Sequence, residues 1–236
     1  MTRAAYARLL PTLLLALLAL DLWISQLRLP ETPPFQRLPE PPRIPMAPLL
    51  GLGDGEAGGR FLTLWLQGFD TQAAAELRLA DLDYRKLSRW LLRADLAMRH
   101  SAYPIFLAAM IYGGIQDPAM SRAMFELVRR MFRRDPENRW YWMAMATSLA
   151  WRSSKKGNRE LPLAMAADLY ALAPPSAPNW ARFLQLYLLR NARKEEQART
   201  LAQRALREKR FDRKEDRLAL RAFLHRLQIR TEDQRP

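Results

Sequence analysis

From Phe61 onward apolar residues recur every three to four positions, and the breaks in that rhythm fall on prolines or turn residues. A chain written this way folds into amphipathic helices that must bury one stripe each. Ala, Leu, Arg and Met are abundant and β-branched residues scarce, so helix is favoured over strand. The expected fold class is all-α. Helices are predicted over 61–69, 81–99, 103–114, 118–134, 138–153, 160–173, 178–191, 194–210 and 213–229. In 118–134, Asp117 suits an N-cap and Pro118 the first turn, while Met120, Met124, Leu127, Val128, Met131 and Phe132 form one stripe. Arg122, Glu126, Arg129, Arg130 and Arg133 are left on the opposite face. Trp180, Phe183, Leu184, Tyr187 and Leu188 gather similarly on 178–191. Short connections make neighbouring helices antiparallel.

Two of the connecting turns match. Arg134-Asp135-Pro136-Glu137-Asn138-Arg139-Trp140 and Ala173-Pro174-Pro175-Ser176-Ala177-Pro178-Asn179-Trp180 each end one helix at proline and open the next with an aromatic. On these turns the chain resembles the tetratricopeptide family, whose helix–turn–helix repeat carries a large aromatic early in its first helix and proline after its second. The resemblance spans roughly residues 61 to 210. It implies stacked helix pairs whose first helices line a groove for peptides or protein segments. Other helix-pair solenoids fit the same period. Domain boundaries follow: 61–212 for the repeats and 213–236 for a cap helix and tail, the cap burying Leu220, Phe223, Leu224 and Leu227.

The first 28 residues read as an address. Leu9 to Leu20 are nearly all apolar, and Leu22-Trp23-Ile24 resume the run after Asp21. This gives about 16 residues, or ~24 Å of helix, against a hydrocarbon core of ~30 Å. Arg8 can snorkel and Trp23 can sit at the interface, so both are expected as membrane anchors. No small-residue cleavage pair follows, which favours an uncleaved signal-anchor over a secreted, cleaved form. Arg3 and Arg8 place the N-terminus in the cytoplasm. The expectation is a single-pass protein of a bacterial inner membrane, its helical domain in the periplasm.

Residues 29–60 read as a connection. Prolines at 30, 33, 34, 39, 41, 42, 45 and 48 force extended geometry and remove backbone donors, giving a semi-rigid strut. Gly51 to Gly59 follow as a flexible hinge. Gly53, Gly55 and Gly58 spell G-x-G-x-x-G, but no strand precedes them to aim a phosphate-binding turn, and no Walker lysine follows.

Chemistry-bearing constellations are missing from the sequence. There is no cysteine, and the two histidines, His100 and His225, stand 125 positions apart. Asp81 and Asp83 suit a helix start. No paired carboxylates, nucleophile elbow or metal-ligand spacing is found, so no catalytic residue, cofactor or metal is assigned. The residues expected to meet a partner are the turn aromatics Trp140, Tyr141, Trp142 and Trp180 and the adjacent Arg133, Arg134 and Arg139. Trp140 and Trp142 are ~200° apart on a helix, so the triplet cannot all be buried on one side.

The net charge of +14 has basic concentrations at Arg129 to Arg139 and Arg199 to Arg230, suited to a solvated face, an anionic lipid surface or an acidic partner. Nucleic acid ranks last, lacking a reading motif. The primary expectation is a membrane-tethered protein–protein interaction scaffold, an accessory or assembly subunit of a membrane complex. A helical enzyme using the repeats as scaffold is the alternative.

Overall fold

The structure, a computed structural model, describes residues 15–20, 23, 38–42, 50–70, 79–154, 158–208 and 211–232. The chain divides into two units, Met1–Gln36 with Gln72–Leu77 and Arg37–Thr71 with Arg78–Pro236. Of the first, only 15–20 and Trp23 are among the described residues, and they are helical.

In the second unit the elements are α1 Gly55–Asp70, a 3₁₀ turn Leu79–Asp81, α2 Tyr84–Ala97, α3 Tyr103–Phe106 running on as a π-helix Leu107–Tyr112, α4 Pro118–Arg134 and α5 Pro136–Ser153. They continue with α6 Glu160–Leu172, α7 Asn179–Arg182, α8 Leu184–Asn191, α9 Glu195–Arg207 and α10 Lys214–Glu232. Among the described residues all regular structure is helical.

Neighbours in sequence are neighbours in space. α1 packs on α2, α3 on α4, α5 on α6, and α8 on α9, with α10 laid against α9. α2 also touches α4, and α4 touches α6, so the second helices form their own row.

Caps set the helix starts. Asp83 and Asp117 each accept two main-chain N–H groups of the first turn, Asp117 from Ala119 and Met120 at 2.9 Å, and Asp135 accepts that of Asn138. Asp135 also donates its N–H to Phe132 O at 3.1 Å, so a single residue separates α4 from α5 and the pair must reverse direction. The predicted stripe of α4 is buried at Met124, Leu127, Val128, Met131 and Phe132. A second cluster joins α8, α9 and α10 through Phe183, Leu186, Ala198, Ala202, Phe211, Leu220, Phe223 and Leu227.

Several expectations are corrected. Among the described residues no helix is long and apolar enough to cross a membrane. The N-terminal transmembrane signal-anchor is therefore overturned, and with it the inner-membrane, N-in placement with a periplasmic domain. Pro11 and Asp21 interrupt the apolar run in sequence. Of the longest helices, α5 holds Glu137, Arg139 and Arg152 near its ends, and α10 carries charged residues along its length. Of the two expected anchors, Arg8 lies outside the described residues and Trp23 is 64% exposed.

The glycine stretch is also not a hinge throughout. Gly55, Gly58 and Gly59 lie inside α1, which begins six residues before the predicted start, with Asp54 accepting from Glu56 N at 2.8 Å. Gly59 lets α1 approach the end of α2: a β-carbon there would lie 2.2 Å from Met98 Cγ. The predicted helix 178–191 is broken at Phe183, whose ring is 1% exposed and packs 5.2 Å from Phe211. Finally, Leu38–Glu40, read as spacer, lies against α2, with Leu38 4% exposed.

Candidate functional site

The first helices, α1, α3, α5 and α7, stand in sequence as the opening members of successive pairs, and aromatic rings connect three of them. Tyr103 and Phe106 of α3 stack with centroids 5.9 Å apart, and Phe106 meets Trp142 of α5 edge-on at 5.1 Å. Trp142 contacts Tyr141 at 5.0 Å, Tyr141 contacts Trp140 at 5.9 Å, and Trp140 reaches Trp180 of α7 at 6.1 Å. The edge-to-face geometries are those the ring quadrupoles favour. At the α3 end, Tyr103 and Gln67 of α1 are hydrogen-bonded through Oη and Oε1 at 3.1 Å.

This ribbon is open to solvent. Tyr103 is 38%, Tyr141 44% and Trp180 45% exposed, while Phe106, Trp140 and Trp142 are half-buried. Three consecutive residues, 140 to 142, sweep ~200° of a helix, so burying Met143 and Ala144 beneath them leaves Tyr141 outward. Met145 and Leu149, half-buried, continue the same side of α5, as do Met110 and Ile111 on α3. Rigid aromatics presented in a row offer contact area at small cost in side-chain entropy.

The predicted arginines have a different fate. Arg139 is 3% exposed; its Nη1 donates to Asp95 Oδ2 at 3.0 Å and to Met131 O at 3.1 Å. Arg134 donates to the same carboxylate at 2.8 Å. Asp95, on α2, is fully buried; desolvation pushes its carboxyl above the ordinary range, against the pull of Arg139 and Arg134. Together they bolt α2 to the α4–α5 junction. Arg133 donates from Nε and Nη2 to Asp168 of α6 at 2.9 and 2.7 Å, and Arg129 joins it. Burial works to raise the Asp168 carboxyl, but the two guanidiniums hold it below the usual range. A third bolt, Arg182 to Asp216 at 2.6 Å, ties α7 to α10. Arg182 is 1% exposed and lies 4.8 Å over the Phe211 ring.

The sequence-predicted set thus divides. Trp140, Tyr141, Trp142 and Trp180 come together on one surface, while Arg133, Arg134 and Arg139 are engaged with the buried acids Asp168 and Asp95. Tyr103 and Phe106 were missed, although Tyr103-Pro104 opens α3 much as Pro136 and Trp140 open α5. Asp95, Asp168 and Asp216 were missed too. A lone acid inside an apolar stripe, as in Leu91-Leu92-Arg93-Ala94-Asp95, was the available signal.

Among the described residues no group of three or more His, Asp or Glu is placed to hold a metal ion. Asp83 is occupied as the cap of α2, and the His100 N–H donates to Glu56 Oε1 at 3.0 Å. A cleft of about 270 Å³ beside Arg99 brings Asp95 and Asp135 to one place, but Arg134 and Arg139 line it as well. A second, of about 310 Å³, lies between the start of α4 and the end of α5 and is lined by Ser121, Phe125, Ser153 and Pro162 without a carboxylate. No family model matches the chain, and neither a curated protein nor a solved structure matches it.

Proposed function

We propose that this chain is a protein–protein interaction scaffold built of tetratricopeptide-like helix pairs, seating an extended segment of a partner protein along the aromatic ribbon. One observation carries the reading: six aromatic side chains from three successive first helices form a continuous, partly exposed row. The row crosses the helices rather than following one, as an extended ligand spanning several repeats requires. The Arg–Asp pairs that tie α2 to the α4–α5 junction, α4 to α6 and α7 to α10 support the reading, since helices held in register lower the entropy cost of binding across them. Such a surface supports a role as accessory or assembly subunit of a protein complex.

Selection of random peptides on the purified full chain tests this. Selected peptides should lose about tenfold or more in affinity on Tyr141→Ala and on Trp180→Ala, with helical circular dichroism unchanged, the scale expected for a partly buried aromatic anchor. Peptides that bind both variants as well as the parent would refute the reading.

A further inference from the structure

A second peptide site is already filled, by the chain itself. Leu38, Pro39 and Glu40 lie along α2, each held by a different group. The Leu38 side chain is buried and its carbonyl accepts from Lys86 Nζ at 3.1 Å. The Pro39 carbonyl accepts from Trp90 Nε1 at 2.9 Å. Glu40 pairs with both terminal nitrogens of Arg89, at 2.9 and 3.1 Å. Trp90 is 3% exposed and is fixed in place by Trp65 of α1, 4.5 Å away. The prolines at 39, 41 and 42 hold this strap extended, because each locks its own φ and biases the residue before it.

An indole N–H and an ammonium aimed at successive carbonyls, with one apolar anchor between charged neighbours, is how extended proline-rich segments are recognised. The sequence repeats the seated motif. Arg37-Leu38-Pro39-Glu40-Pro41-Pro42 is preceded, nine positions earlier, by Arg28-Leu29-Pro30-Glu31-Thr32-Pro33-Pro34. The tetrapeptide Arg-Leu-Pro-Glu is identical in both, and the three contacts above are made by Leu, Pro and Glu of that tetrapeptide. Every group that holds the strap is therefore offered the same atoms by the earlier copy.

We propose that the α2 groove is a recognition site for Arg-Leu-Pro-Glu segments and that Arg28–Glu31 is its second ligand, taking the place of Leu38–Glu40. The buried leucine supplies affinity and the two carbonyl contacts fix an extended backbone. The Arg89–Glu pair, exposed on both sides, sets register more than strength. Exchange between the copies moves the point of attachment by nine residues.

The test is a polarisation titration of a fluorescein-labelled peptide of residues 27–35 against four full-length chains: unmodified, Leu29→Ser, Leu38→Ser and the double variant. A tethered motif competes at high effective concentration in the first three. The double variant should bind the peptide about tenfold or more tighter than any of them, on the scale of one buried leucine. Adding Arg89→Glu to the double variant should weaken binding, and a peptide with Glu31→Arg should restore it. Trp180→Ala should change nothing, which separates this groove from the aromatic ribbon. The proposal is overturned if Leu38→Ser alone binds as tightly as the double variant, if the double variant binds no peptide, or if the charge swap fails to rescue. Should the double variant lose its helical dichroism, excess peptide must restore it; failure to do so overturns the proposal equally.

Discussion

Three buried carboxylates decide how the basic residues of this chain are used. Asp168 sits between α4 and α6 with Arg129 and Arg133 around it, and its carboxyl is held below the ordinary range. Such a group stabilises the fold above its unfolded value of about 3.9, and that contribution is lost as pH falls through the lower folded value. Asp168→Asn is therefore expected to cost about 2 kcal/mol in urea denaturation at pH 7, a figure reduced from that of a fully enclosed pair because Arg133 is half exposed. The deficit should narrow at pH 3; an equal deficit at both pH values would show that the charge is not what matters. Asp95 runs the other way. Burial raises its carboxyl, so ionising it costs stability as pH rises from the unfolded value through the folded one, and Arg139 offsets that cost. Arg139→Met leaves the carboxylate buried with a weaker partner, and we expect a loss of about 3 kcal/mol at pH 7 that shrinks toward pH 4. Replacing Asp95 by Leu in the same chain should recover part of the loss.

At the level of elements, caps and special turns position the ribbon. Asp117 Oδ1 accepts two first-turn N–H groups of α4, so Asp117→Ala should lower stability by about 1 kcal/mol, read as a shifted urea midpoint at unchanged slope. The π-helix Leu107–Tyr112 follows directly on Phe106, the ring that carries the ribbon from α3 to α5. It ends at Gly113, where a β-carbon would fall 2.7 Å from Ala108 O and 2.8 Å from Ala109 O. Gly113→Ala must therefore reshape this exit, and the expected result is destabilisation of about 2 kcal/mol or more by thermal denaturation. Neither the π-helix nor its exit at Gly113 interrupts the 3.6-residue rhythm strongly enough to be read beforehand. Helix existence was legible in Pro118, Pro136 and the apolar stripes. The break at Phe183 was not, because no proline or glycine stands there and it arises from burying Phe183 and Arg182 against Phe211 and Asp216.

For the molecule as a whole, a stack of pairs needs a closing element. α10 covers the last pair with Leu220, Phe223 and Leu227, each 1% exposed or less, and supplies Asp216 to the buried Arg182. Ending the chain at residue 212 would uncover an apolar face and leave Arg182 without that carboxylate. We expect the truncated chain to lose cooperative thermal unfolding and to aggregate, as seen by calorimetry and light scattering. Retention of a sharp transition would mean that α10 is dispensable to the stack.

The sequence by itself determined the all-helical class and the approximate helix boundaries, because periodicity, proline and capping residues act over a few positions. It also announced a basic chain without metal or nucleophile spacing. Only the tertiary structure decided which cations are available. Arg133, Arg134 and Arg139 looked like a surface patch, and they became bolts because Asp95 and Asp168, some 30 to 45 positions away, were folded beneath them. The same holds for Leu38–Glu40, which local rules describe only as extended. Its place on α2 depends on Trp90, about 50 residues on. Contacts of that separation leave no periodic trace, so composition can name the groups but the fold alone assigns their partners.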